Sequence, residues 1–150
     1  MLYREMEHRE GMAEALCLFG KVEAARGDHA FGRSLYKDSL VMAQEIGDKE
    51  LFSSGLEGLA SAVAMQRERT WATRLWGAAE GLREAIGAPL QPIEWTDYQQ
   101  AMATPRNHLG ETAFAFAWAE RRVMPAEQVL TTGERAIQPQ QSQQNQHPLK

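Results

Sequence analysis

The sequence predicts an all-α fold, made of helical hairpins stacked side by side and closed by a helical cap. Three observations predict it. Apolar residues recur at the three- and four-residue spacing that builds one stripe on a helix. The chain matches itself at an offset of 40 residues, as repeat architectures do. Glycine and proline signals at Gly27, Gly47, Gly87, Pro89 and Pro92 stop the helical pattern at intervals that fit the repeat.

The repeat register rests on particular pairs. Leu16 falls on Leu56, Ala24 on Ala64, Leu35 on Leu75, Ile46 on Ile86 and Gly47 on Gly87. In the same register Phe31 meets Trp71, Tyr36 meets Trp76, Gly20 meets Ala60, Gly32 meets Ala72, Ser39 meets Ala79, and Asp28 meets Glu68, which keeps size or polarity class where identity is lost. Two copies of one unit follow, residues 9–47 and 49–87, within a single helical-repeat domain of residues 1–137.

In the first unit, a helix over residues 9–26 carries Met12, Leu16, Phe19 and Val22 in one stripe. Gly27-Asp28 form the turn, glycine taking the left-handed conformation and aspartate capping the next helix. A second helix over 29–46 carries Phe31, Leu35, Tyr36, Leu40 and Ala43. The second unit repeats this over 49–66 and 70–86. Its turn at Arg67–Glu68–Arg69–Thr70 lacks the glycine, so Thr70 is the expected N-cap. Small residues mark where the paired helices cross closely: Gly20, Ala24, Gly32 and Ser39 in one unit, Ala60, Ala64, Ala72 and Ala79 in the other. Tyr36 and Trp76 are then expected to pack on the helix that follows.

Shifted back by 40, Ile46 falls on Met6 and Met42 on Leu2. Residues 1–8 therefore read as the end of a preceding repeat's second helix. The chain is expected either to be a piece of a longer array or to cover this end with a partner, since an unpaired repeat leaves an apolar face in water. Association into a homo-oligomer through Leu2, Met6 and Met12 is one such expectation.

Beyond Pro92 the register is lost, and capping helices are expected over 93–137. The first, with Trp95, Tyr98 and Met102 on one face, is capped by Thr96 or Asp97 and interrupted or restarted at Thr104-Pro105. The next, 111–123, points Phe114, Trp118 and either Ala115 or Phe116 inward, Phe116 being otherwise exposed or at an interface. Pro125-Ala126-Glu127 opens a last helix over 126–137. The tail 138–150, QPQQSQQNQHPLK, has almost nothing to bury and is expected to be disordered.

At LCLFGKVEAARGDHAFGRSLYKDSLVMAQEIGD the hairpin resembles a tetratricopeptide repeat of the longer, MalT-like kind. Phe19-Gly20 stand where that family has its Leu-Gly pair, Gly27-Asp28 at its turn, Gly32 at its small second-helix position, Tyr36 at its aromatic and Ser39-Leu40 near its Ala-Leu. Glu23 stands where an aromatic is usual, and no proline closes the helix. The segments GLEGLASAVA, RLWGAAEGLREAIGAPLQP and LGETAFAFAWAERRVMPAEQVL resemble the C-terminal end of large bacterial signal-transducing ATPase regulators related to LuxR and AfsR. The resemblance covers residues 12–130. It implies a short right-handed solenoid serving as a protein-interaction or signal-sensing arm in transcription regulation, with the first helix of each hairpin on the concave side. Mapped onto this sequence by the family's motif register, the resemblance implies Glu14, Cys17, Lys21, Ser54, Glu57, Ser61 and Met65 as candidate binding residues, a mixed polar and apolar set suited to a protein or peptide segment.

Composition bounds the function classes. The chain is 43% hydrophobic and 24% charged with a net charge of −4. No run of about 18 apolar residues offers a membrane span. The charged opening MLYREMEHRE does not resemble a secretion signal, so a cytoplasmic setting is expected. The single Cys17 excludes an internal disulfide and reads as a small packing residue. Nucleic-acid binding needs clustered Lys/Arg, and Arg121-Arg122 do not make a cluster.

No catalytic constellation is present: no phosphate-binding Gly-rich loop, no G-x-S-x-G, no H-E-x-x-H, and no Cys/His pair at metal spacing. His8, His29, His108 and His147 lie apart, and Glu5, Glu7, Glu10, Glu80 and Glu84 read as wet helix faces. No enzymatic activity, cofactor or metal is expected. The competing expectation is a small-molecule pocket lined by Trp76, Trp95 and Trp118, with Tyr98 as a further wall.

Overall fold

The computed structural model describes residues 2–122, which form six α-helices: α1 (Leu2–Ala25), α2 (His29–Ile46), α3 (Lys49–Met65), α4 (Arg69–Ile86), α5 (Pro92–Leu109) and α6 (Glu111–Arg122). No strand occurs among the described residues, so the protein is all-α there. The helix expected over 126–137 and the tail expected over 138–150 lie outside them. Each of the first four helices packs on the next, α1 also touches α3, and α6 lies along α4 more extensively than α5 does.

Residues 2–8 do not end a separate helix. They run without a turn into α1, because no proline or capping residue intervenes and the isolated Gly11 weakens a helix without breaking it.

The two helices of the first hairpin approach as the small residues predict. A Cβ built on Gly20 would lie 3.2 Å from the Gly32 carbonyl oxygen, and one on Gly32 would lie 3.0 Å from that of Gly20, so neither position tolerates a side chain without separating the helices. Ser39 adds a bond across the same contact, its Oγ donating to the Ala13 carbonyl at 2.7 Å. In the second hairpin, Ala60 and Ala72 are fully buried at the matching positions.

The turns reuse one chemistry with one substitution. Asp28 and Asp48 accept the N–H groups of Phe31 and Leu51 at 3.1 and 3.0 Å, capping α2 and α3. In the second hairpin Arg67 takes the left-handed conformation (φ 70°) that Gly27 has in the first. The N-cap of α4 is Glu68, which makes no side-chain cap bond; Thr70, the expected cap, is already the second residue of the helix. Holding a non-glycine residue at positive φ costs about 1–2 kcal/mol, and the surrounding hairpin contacts offset it.

Trp76, Leu40, Leu56, Leu59 and Leu75 are the large side chains at the centre of the core. The ring of Tyr36 packs on Gly58 of α3, where any side chain would collide with it. Tyr98 meets Trp76 edge-on at 6.1 Å, and its hydroxyl donates to the Trp76 carbonyl at 3.2 Å. Helix α5 starts at Pro92 with Gln91, not Thr96 or Asp97, as its N-cap, and the Glu94 carboxylate reaches back to accept the Gln91 N–H at 3.0 Å. It continues through Pro105. That proline is buried, and its packing offsets the backbone hydrogen bond it cannot donate.

In α6, Phe114 and Ala117 turn inward with Trp118 half-buried, whereas Phe116 is 72% exposed and Ala115 faces solvent. Neither of the two residues expected to join Phe114 and Trp118 does so. Helix register decides this, since residues three and four apart share a face.

One face of α1 is uncovered. Met12, Phe19 and Val22 are 43%, 46% and 46% exposed, while Phe52, Leu59 and Ala62, their equivalents in the repeat, are 3%, 2% and 1% exposed. The difference is α2, which packs on α3; no described helix occupies the corresponding side of α1.

Two glycines give opposite expectations. A Cβ on Gly77 would collide with the Trp118 backbone carbonyl, so Gly77→Ala forces α6 off α4 and is expected to cost about 1–3 kcal/mol. Gly11 has open space around it within α1, so Gly11→Ala should gain about 0.5–1 kcal/mol. Urea unfolding midpoints check both.

Candidate functional site

Six of the seven residues selected from the repeat register line one groove of about 540 Å³: Glu14, Cys17 and Lys21 from α1, and Ser54, Glu57 and Ser61 from α3. The seventh, Met65, is 65% exposed at the end of α3 and does not line it. It is the last residue of α3. Tyr36 and Gly58 form part of the floor, and Leu90, Asp97 and Tyr98 close one end.

At that end sits a residue the sequence reading passed over. Arg83 is only 8% exposed. Its Nε and Nη2 donate to the two carboxylate oxygens of Glu57, each at 2.8 Å, a bidentate fork that arginine geometry suits. Nη2 also donates to Ser54 Oγ at 3.2 Å, and Nη1 to the Ala88 carbonyl at 3.1 Å. One guanidinium thus joins α3, α4 and the exit from α4. A signal for it exists in the sequence: at the 40-residue offset Arg83 falls on Ala43, a fully buried position, and a charge in a core register has to be paired.

The electrostatics follow from this burial. Removal from water pushes the Glu57 carboxyl above the usual carboxylate range, against the pull of Arg83's hydrogen bonds. Hydrogen bonding to Glu57 in turn holds the Arg83 guanidinium above its ordinary value. Cys17 is pushed up by burial first and by Glu57's charge second. Burial likewise raises the Tyr36 and Tyr98 hydroxyls.

A smaller cavity of about 260 Å³ adjoins the groove and shares Glu57, Arg83, Leu90 and Tyr98 with it. Trp95 forms part of its wall, stacked on Tyr98 with ring centres 5.5 Å apart and planes 27° from parallel. The pocket expected from Trp76, Trp95 and Trp118 does not form. Trp76 is wholly buried in the core, and Trp118 packs beside Phe114 on α6; both are absent from the cavity lining. Large aromatics at helical spacing went to packing, which is their commoner use.

Of the histidines, His108 faces the Thr104 carbonyl at 2.9 Å, and His29 is half-buried with its Nδ1 unpaired among the described residues. No three His, Cys, Asp or Glu side chains group to hold a metal among the described residues. No described helix is long and apolar enough to cross a membrane.

Compared with protein-family models, with curated proteins and with solved structures, the chain matches none.

Two measurements check the site. Glu57→Gln leaves the Arg83 charge buried without its counter-ion, and should cost about 2–4 kcal/mol in urea unfolding. Replacing the pair together (Glu57→Leu with Arg83→Met) should cost less, because the unpaired charge is gone. For Cys17 the sign is direct: a raised pKa means less thiolate at a given pH, so alkylation by iodoacetamide at mildly alkaline pH should run several-fold slower than for a free cysteine and recover when the chain is unfolded.

Proposed function

We propose that this chain is a tetratricopeptide-like helical-repeat arm with no chemistry of its own, which binds a protein or peptide segment in the groove between α1 and α3. The observation that carries the reading is the convergence on that groove of residues selected from the sequence by the family resemblance and its motif register, Glu14, Cys17, Lys21, Ser54, Glu57 and Ser61. The lining mixes apolar floor with polar rim, the composition that peptide grooves use. The resemblance to the C-terminal part of LuxR- and AfsR-related regulators supplies the context. There an arm of this kind biases a switch domain elsewhere, because a ligand shifts a conformational equilibrium by its differential affinity for the two states. In this reading the chain contacts neither nucleic acid nor membrane, works in the bacterial cytoplasm and needs no cofactor.

A second surface belongs to the same proposal. The uncovered apolar face of α1, with Met6 at its N-terminal end also exposed, associates with another helical surface, a second copy being the simplest. Light scattering should then show a mass above the monomer that falls when Phe19→Glu is introduced; a strict monomer at all concentrations would remove the self-association.

The small-molecule reading keeps only the cavity beside Trp95. At about 260 Å³ it falls below the roughly 300–1,000 Å³ typical of ligand pockets, which favours the groove.

For the groove, peptides selected from a random displayed library against the chain should lose about tenfold or more in affinity toward Ser61→Trp, which fills the groove, and be unaffected by Phe116→Ser on α6. Peptides that bind both variants equally would overturn the groove as the site.

A further inference from the structure

Charge is ordered along the uncovered face of α1. Glu5, Arg9, Met12, Leu16, Phe19, Glu23 and Arg26 succeed one another at spacings of four and three residues, so they share one seam of the helix. The middle of the seam is apolar, and each end carries an acid followed by a base. Glu5 and Arg9 are exposed and have no ion-pair partner among the described residues. Arg26 contacts Glu23 within the helix at 3.5 Å, yet its side chain is 72% exposed and has donors to spare.

Reversed in direction, the seam is complementary to itself. Laid antiparallel on a second copy with Leu16 at the centre, Glu5 falls opposite Arg26, Arg9 opposite Glu23 and Met12 opposite Phe19, each pair level to within one residue. Glu5 and Arg26 thus stand about 16 Å to either side of the centre at the rise of a helix. A parallel copy would instead set Glu5 beside Glu5 and Arg26 beside Arg26, which like-charge repulsion opposes.

The fold already makes this arrangement once. Forty residues on, Phe52, Leu56 and Leu59 stand at the equivalents of Met12, Leu16 and Phe19 and are buried. Helix α2 covers them, antiparallel to α3 because only two residues join the pair. Ala15, beside the seam, stands where α3 has Gly55, on which Leu40 of α2 packs. A second small residue therefore leaves room for a helix to approach α1.

We propose that two copies of the chain pair through this seam, antiparallel about a two-fold axis beside Leu16, each α1 taking on the other the place that α2 takes on α3. This rests on the self-association read above from the same face, and adds its direction and register.

The test uses the whole chain with Cys17→Ser, in two forms told apart by a mass tag, one carrying Met12→Cys and the other Phe19→Cys. Mixed and oxidised, they are expected to cross-link 12 to 19. Same-residue links should be scarce, because antiparallel pairing separates two copies of either position by about 11 Å along the helices, beyond the roughly 7 Å that a disulfide spans between Cα atoms. Separately, sedimentation at low salt should show Glu5→Arg and Arg26→Glu each raising the dimer dissociation constant about fivefold or more, since the two-fold axis repeats every pair and reversal turns attraction into repulsion. The double variant, which restores the pair with its signs exchanged, should return most of the affinity. Mainly same-residue disulfides, or a double variant no tighter than the single ones, overturns the pairing while self-association stands. A chain that is monomeric at every concentration removes both and leaves the face to a helix of another protein.

Discussion

A single guanidinium holds the geometry on which the candidate site depends. Arg83 sits where the first repeat unit has a buried alanine, and its charge is accommodated because Glu57, Ser54 and the Ala88 carbonyl accept its hydrogen bonds. The acceptors lie on two pieces of chain: Ser54 and Glu57 about one turn apart on α3, and Ala88 just past the C-terminus of α4. The bonds therefore fix the inclination of α4 on α3 and the path out of α4. That path decides where α5 begins, and α5 brings Tyr98 to the end of the groove and Trp95 to the adjoining cavity. A buried ion pair is weak support for stability in itself, since desolvation opposes its attraction. Its value here is directional: a hydrophobic pair in the same place would fill the space but would not aim the exit.

The second constraint is the contrast between the two hairpins. In the first, glycine faces glycine at the crossing of α1 and α2; in the second, alanines take those positions. Glycines recur where aromatic rings must lie flat on a backbone, Gly58 under Tyr36, and where two backbones touch, Gly77 against Trp118. The Tyr36 ring lies between Gly20 of α1 and Gly58 of α3, close enough to meet a side chain added at either, and so forms the floor on which the groove rests.

Most of the helical framework was legible in the sequence because its signals are local. Gly27-Asp28 and Gly47-Asp48 announce turns by backbone conformation and capping, and the structure places helix boundaries within a few residues of them. What was not legible was decided by tertiary contact. Thr104-Pro105 reads as an interruption or a restart of the helix, yet α5 runs through the buried Pro105 without a break. Thr70 is the better capping residue by type, but the hairpin starts α4 one residue earlier. The division at residue 8 came from carrying the repeat register past the point where packing enforces it. At the site, the family resemblance said which helix of each hairpin lines the concave side, and helix register said which of its residues share that face. Together they could not find Tyr98, Glu94 or Asp97, which come from α5, after the two hairpins, and they included Met65, which is exposed at the end of α3 and does not line the groove.

The placement of α3 has a kinetic meaning. It is contacted by α1, α2, α4 and α5, whereas α1 is covered by α2 and α3 and bare on its remaining face. Local opening follows such differences in coverage, so backbone amides of α1 should exchange with solvent through small openings, and those of α3 only when the whole structure opens. The groove therefore has one steady wall and one that breathes. An occupant bridging both would hold the looser wall to the firmer one, and the order it imposes on α1 would reach the uncovered face on the opposite side of that helix. Filling the groove and covering the outer face of α1 would then assist each other through a shared cost of ordering, without either changing the other's shape.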